Sequence, residues 1–235
     1  GEGSSATVTL GFSLKTKTEV AVKSGLAHNF NTREREISKF LANQKLDECF
    51  VVTDKYFNYV KPVQGMPQKK TLAIFEKLDM SLADLLDEEL TLLELIDIAR
   101  TIANGLSILD QLGIVHMDMK PENILMKGSL PKIADFGLAA FKDKLDYGRG
   151  SPGFWAPEVF DSWLRSTIQE DYQFSFDPTI VEMLNGVVQN SALLNYLDKL
   201  PPFIAKPSAD IWSFGVMLLS MINPNCFYEI QENEF

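Results

Sequence analysis

The chain has 235 residues, 46% apolar and 23% charged, an ordinary balance for a globular protein able to bury a sizeable core. Its 22 basic against 32 acidic residues leave a formal charge of −10, which argues against nucleic acid or an anionic membrane as partner and favours basic proteins through steering. The longest apolar run, around Phe214 to Ile222, is too short to span a bilayer, and no signal peptide is visible. Cys49 and Cys226 lie far apart and form no metal or redox pattern, so a reducing, cytoplasmic compartment is the expectation.

The chain opens on Gly1-Glu2-Gly3-Ser4-Ser5-Ala6-Thr7-Val8. Two β-rich runs follow, Val8 to Leu14 and Glu19 to Lys23, joined by the polar Lys15-Thr16-Lys17-Thr18. A glycine-rich turn lets backbone N–H groups approach phosphates with no Cβ in the way. Alone it is a weak signal; it gains weight from Ala21-Val22-Lys23, which puts a lysine on the strand after the turn. Thr32 to about Lys45 is expected to be a helix, and Phe50 to Val60 and Thr71 to Phe75 two more strands. Leu92 to Leu112 predicts a long helix with a core stripe at Ile96, Ala99, Ala103 and Leu106. The pattern turns mainly helical near residue 79, which divides the expectation into 1–78 and 79–235.

The most informative stretch is His116-Met117-Asp118-Met119-Lys120-Pro121-Glu122-Asn123-Ile124-Leu125, followed by Asp135-Phe136-Gly137. It supplies an acid that can orient and deprotonate a hydroxyl (Asp118), a cation for a transferring phosphate (Lys120) and two magnesium ligands (Asn123 and Asp135). Phosphoryl transfer asks little covalent chemistry of a protein; it asks that reactants be held in line and charge be neutralised. Farther on come Gly148-Arg149-Gly150-Ser151-Pro152-Gly153-Phe154-Trp155-Ala156-Pro157-Glu158 and Ser208-Ala209-Asp210-Ile211-Trp212.

The H-x-D-x-x-x-x-N and D-F-G spacing, with the glycine turn, the strand lysine and the closing Ala156-Pro157-Glu158, resembles a eukaryotic-type serine/threonine protein kinase over residues 1 to about 158 and 208 to about 222. The resemblance implies an α+β, two-lobed fold, a β-rich N-lobe before a mainly helical and shortened C-lobe, with ATP and Mg²⁺ as cofactors and a protein as substrate. Gly1, Gly3 and Lys23 would hold phosphates. Adenine would lie between Val8 and Ala21 above and Leu125 below, with Phe75 as gatekeeper and the backbone of Glu76 and Leu78 as hinge partners. The family pairs its strand lysine with a helix glutamate. Motif alignment selects Glu36, which would turn Phe40 toward the core, whereas a helical wheel puts Glu34 nearer the Phe30, Ile37 and Leu41 stripe. Ser151 would bridge Asp118 and Lys120, which with Lys-Pro-Glu-Asn at 120–123 disfavours tyrosine specificity. Ser208 would cap the helix from which Asp210 bonds the catalytic-loop backbone, and buried His116 would pack rather than carry protons.

Three departures from the family stand out. Met117 replaces the arginine that receives an activation-segment phosphate, so that switch is expected to be absent. Residues 161–206 are much longer than the family's connection; they contain an aromatic, acidic run at Asp171 to Phe176 and an amphipathic pattern from Thr179 to Leu200, a possible docking surface for a regulatory protein. The family's last helices have no counterpart after the Asp210 helix. The chain therefore reads either as a fragment or as a minimal kinase of the sort pathogens secrete, with the host cytosol as its compartment in that case. A pseudokinase acting as a nucleotide-binding docking module is the main alternative. An aminoglycoside-kinase-type phosphotransferase is a third reading, disfavoured by the Ala-Pro-Glu segment.

Overall fold

The computed structural model describes residues 6–26, 32–63, 66–146, 148–169 and 199–223. Gly1 and Gly3, and most of 161–206 with its aromatic run and amphipathic pattern, lie outside the described residues. The chain forms two compact units, Gly1–Ile108 with Pro121–Ala139, and Leu109–Lys120 with Ala140–Phe235.

The first unit is built on a four-stranded antiparallel sheet in the order β1-β2-β4-β3. Its strands are β1 (Ala6–Ser13), β2 (Thr18–Leu26), β3 (Tyr56–Val63) and β4 (Met66–Glu76). The register sets Val8 opposite Lys23, and Lys23 in turn opposite Ala73. Helix α1 (Thr32–Asn43) buries Glu34, Ile37, Ser38 and Leu41 along one face. Ile37 and Leu41 are fully buried, worth about 2 kcal/mol each. The Ser38 hydroxyl donates to the Thr53 carbonyl (3.0 Å) and accepts from the Thr53 N–H (2.9 Å), locking that face against the segment before β3. Phe40 is 40% exposed, so it does not point into the core as the motif alignment suggested.

A second, three-stranded layer runs β5 (Met80–Ser81), β7 (Ile124–Lys127), β8 (Leu130–Ile133). Ser81 faces Leu125 and Leu125 faces Lys132 across it. A capping box at Ser81 and Asp84 starts the short helix α2 (Leu82–Leu85). Phe136 is buried with its ring edge against Phe50, 5.9 Å between centroids.

Helix α3 (Leu92–Gln111) buries Leu106 of the expected stripe, but beside it Ile98, Ile102 and Leu109 rather than Ile96, Ala99 and Ala103. Ile96 and Ala103 are exposed. Ala99 and Ala103 carry too little apolar surface to orient the helix against the larger Ile98, Ile102 and Leu109.

In the second unit, β6 (Ile114–Val115) pairs with β9 (Ala140–Phe141). Among the described residues two helices follow, α4 (Pro157–Gln169) and α5 (Pro207–Ile222). Lys206, not Ser208, is the N-cap of α5, because Pro207 fits the first helical turn with no N–H to lose. The Ser208 hydroxyl instead sits 3.4 Å from the Glu158 carboxylate. One face of α5 buries Ala209, Asp210, Ser213 and Met217, while Ile211, Leu219 and Ile222 on the other are exposed.

Candidate active site

A cavity of about 500 Å³ opens in the first unit. Val8, Ala21, Lys23, Phe75, Glu76, Leu78, Asn123, Leu125 and Asp135 all line it, so every described residue expected at the nucleotide and metal, apart from Glu36, meets there. Glu34 lines it too.

Lys23 Nζ lies 3.2 Å from Glu34 Oε1 and 3.1 Å from Asp135 Oδ1. Glu36 is exposed, which corrects the pairing drawn from the motif alignment. The cause is packing: burying Ile37 and Leu41 fixes the rotation of α1, and Glu34, one turn before Ser38, then shares the buried face. Asp135 holds a left-handed backbone (φ 59°, ψ 75°), and its carboxylate caps the turn that follows by accepting from the Gly137 N–H at 3.4 Å.

The electrostatics of the trio follow from burial and charge. Burial pulls the Lys23 ammonium down, but the Asp135 and Glu34 carboxylates together outweigh it and hold its pKa above the ordinary value. Burial raises Glu34 and Asp135 adds to that, with Lys23 opposing. By linkage, Lys23 stabilises the fold fully below its ordinary pKa of 10.5 and ceases to as pH rises through the raised value. Glu34, also raised, favours the fold most below 4.5 and loses that contribution as pH climbs through its folded value. Among these influences, Lys23 is the one that favours ionised Glu34.

Asn123 and Asp135 offer an amide oxygen and a half-exposed carboxylate at the same cavity, the hard-oxygen donors that suit Mg²⁺ when waters and phosphates complete its shell. The donor set fits the metal.

The second unit carries the loop from His116 to Lys120. Asp210 lies fully inside and its carboxylate accepts from the His116 N–H (2.6 Å) and the Met117 N–H (2.8 Å), the role expected of it. Burial pushes the Asp210 carboxyl up, against the opposing pull of His116 and the two N–H donors. Those bonds hold Met117 in a left-handed conformation, φ 68°, that a side chain rarely adopts. His116 is buried, and its Nδ1 accepts from the Asp118 N–H at 3.3 Å, a packing role. The Ser151 hydroxyl donates to Asp118 Oδ1 (2.8 Å) and accepts from Lys120 Nζ (2.5 Å), making the expected bridge.

Gly150 was not singled out by sequence. At φ +122° a Cβ there would come within 2.5 Å of the Met117 carbonyl and 3.4 Å of Asp118 Oδ1, so only glycine lets the chain pass the acid this closely. Asp146 and Arg149 were missed as well. They form a 2.9 Å ion pair whose carboxylate is 1% exposed, and their backbone neighbourhood is stitched to 203–205 through Asp146 N–H to Phe203 O (3.1 Å) and Ala205 N–H to Lys144 O (3.1 Å).

Together these elements define an α+β fold of the protein-kinase class. A family model for the protein kinase domain matches residues 1–192. The chain is 35% identical over 168 residues to a probable serine/threonine-protein kinase of Encephalitozoon cuniculi (strain GB-M1), a match covering 68% of this chain and 30% of that protein. It is 32% identical over 155 residues to the leaf rust 10 disease-resistance locus receptor-like protein kinase-like 2.1 of Arabidopsis thaliana (59% and 24%). Over 152 residues it is 34% identical to human myosin light chain kinase 3 (62% and 16%). The chain belongs to the eukaryotic-type protein kinase domain family, and it spans under a third of the length of these relatives. Among the described residues, no helix is long and apolar enough to cross a membrane.

Proposed function

We propose that the protein is a serine/threonine protein kinase that transfers the γ-phosphate of ATP to a protein hydroxyl in the cytoplasm. The observation that carries this reading is the Ser151 hydroxyl held between Asp118 and Lys120. It aims the carboxylate that must accept the hydroxyl proton and sets the ammonium beside it to neutralise the transferring phosphate.

The cavity supports the nucleotide half of the reaction. Val8 and Ala21 would cover adenine from above and Leu125 from below, with Phe75 closing the back and the Glu76 and Leu78 backbone meeting the purine edge. Lys23, oriented by Glu34, would grip the α- and β-phosphates, with Gly1 and Gly3 covering them. Asn123 and Asp135 would hold Mg²⁺, which supplies charge neutralisation across the phosphates when bound. On this reading residues 1–78 and 79–235 serve as the two lobes.

The test is incubation of the chain with labelled ATP, Mg²⁺ and a mixture of basic proteins. Phosphoserine and phosphothreonine are the expected products. Phosphotyrosine would refute the specificity, and ATP binding without transfer would favour the docking-module alternative, which would act through the 161–206 insertion.

The corrected ion pair gives a sharper expectation. Glu34→Gln should lower transfer about a hundredfold by letting Lys23 drift from the phosphates, while Glu36→Gln stays within about twofold. Thermal unfolding should barely move for Glu34→Gln, because ionised Glu34 is disfavoured by its own burial. The reverse ranking in a kinase assay would restore the motif alignment.

Regulation by phosphate is expected to be absent. Ordering an activation segment by phosphate takes a guanidinium fork next to the catalytic aspartate, and Met117 has no charge. The Asp146–Arg149 pair and the bonds to 203–205 already hold this segment. Control would fall to a protein partner at 161–206. Protein verified by mass spectrometry to be free of phosphate should be fully active or respond to the partner alone; loss of activity on phosphatase treatment, restored by phosphate between Phe141 and Ser151, would defeat this.

A further inference from the structure

Lys132 is a buried charge that the mechanism leaves unused. It is 3% exposed, on a strand otherwise made of apolar residues and proline, and an ammonium out of water persists only when its donors are met. Its Nζ donates to Glu76 Oε1 and to the Asp47 carbonyl. The other oxygen of the same carboxylate, Glu76 Oε2, accepts from the exposed Lys127 at 2.8 Å.

The location gives the clamp its meaning. Glu76 is the last residue of β4 and pairs with Val20; beyond it the chain leaves the sheet, so ladder bonds fix its backbone on one side only. Lys132, in contrast, stands on firm ground. It faces Leu125 in the β7–β8 register, and its neighbour Ile133 donates to the Cys49 carbonyl (3.0 Å) and accepts from the Val51 N–H (2.8 Å). Leu125 and Glu76 both line the cavity. The salt bridge therefore ties the end of β4 to the strand layer that forms the cavity's floor.

We infer that Lys132 is a positioning residue for nucleobase selection, holding Glu76 through its side chain so that its backbone carbonyl meets the 6-amino group of adenine. The inference rests on the proposed adenine contact at Glu76. Inosine separates the two claims: at Glu76 it carries a carbonyl oxygen where adenosine carries the amino donor, and two facing acceptors cannot bond, while its N1–H opposes the Leu78 N–H, a loss that the Lys132 and Glu76 variants share with wild type.

The experiment measures Mg²⁺·ADP and Mg²⁺·IDP affinity by calorimetry in wild type, Lys132→Met, Glu76→Gln and Lys127→Ala, with thermal unfolding of each. Wild type should prefer ADP by well over tenfold, of which about tenfold is the worth of the Glu76 hydrogen bond. Lys132→Met should lose about that tenfold part, Glu76→Gln should lower the preference too, and Lys127→Ala, which removes only an exposed contact, should stay within about twofold of wild type. If Lys132→Met does not fold, Glu76→Gln alone decides, since its side chain is only partly buried. Equal weakening of both nucleotides, with the preference intact in Lys132→Met or Glu76→Gln, overturns the inference and leaves the adenine contact standing. A wild type that binds ADP and IDP equally overturns the contact and the inference together.

Discussion

Asp118→Asn is expected to lower kcat about a thousandfold, near the upper range for loss of a general base, with nucleotide affinity and thermal stability close to wild type. The amide keeps an oxygen for the Ser151 hydroxyl that now sits 2.8 Å away, so the loop's shape should survive. What disappears is the carboxylate's ability to take a proton and its attraction for Lys120, whose Nζ lies 3.7 Å from the second oxygen. Single-turnover transfer from labelled ATP measures the first loss directly. A kcat within tenfold of wild type, in protein that unfolds at the normal temperature, would remove Asp118 from the role of base.

Asp135→Ala should abolish transfer by a different route. Its half-exposed carboxylate contributes little to folding, and the ion pair it loses leaves Lys23 still 3.2 Å from Glu34. The stability cost should be about 1 kcal/mol or less. Because Asp135 is one of the influences raising the Glu34 carboxyl, its removal also leaves Glu34 more readily ionised and the remaining pair intact. Nucleotide binding should persist, while its enhancement by Mg²⁺ disappears. Calorimetry showing the same Mg²⁺-dependent gain in ATP affinity for wild type and variant would end the assignment of Asp135 as a metal ligand.

Contiguous motifs were legible because their chemistry is local. The run from His116 to Asn123 carries its acid, cation and amide at spacings set by one short loop, and Asp135-Phe136-Gly137 follows soon after, so residue types in order were enough to name the family. Strand and helix limits followed from apolar periodicity, which is why β1, β2, α1 and α3 lie close to their expected spans.

Choices between chemically equivalent residues were a different matter. Glu34 and Glu36 are the same side chain two positions apart; only the burial of Ile37 and Leu41 sets the rotation of α1 and decides which one reaches Lys23. The α3 stripe went the same way, to the larger side chains at Ile98, Ile102 and Leu109.

Long-range partners were the least visible. Nothing near Lys132 in sequence announces Glu76, although a lysine in an otherwise apolar strand was a signal that it must find a buried partner. Asp146 with Arg149, and Gly150 under Asp118, acquire meaning only from the surfaces folded against them. The sequence determined which family this chain belongs to, because its motifs are written in residue types at short range. The tertiary structure decided which acid serves the lysine and which buried charge braces the cavity, because those depend on side-chain volume and on charges that must be paired once water is gone.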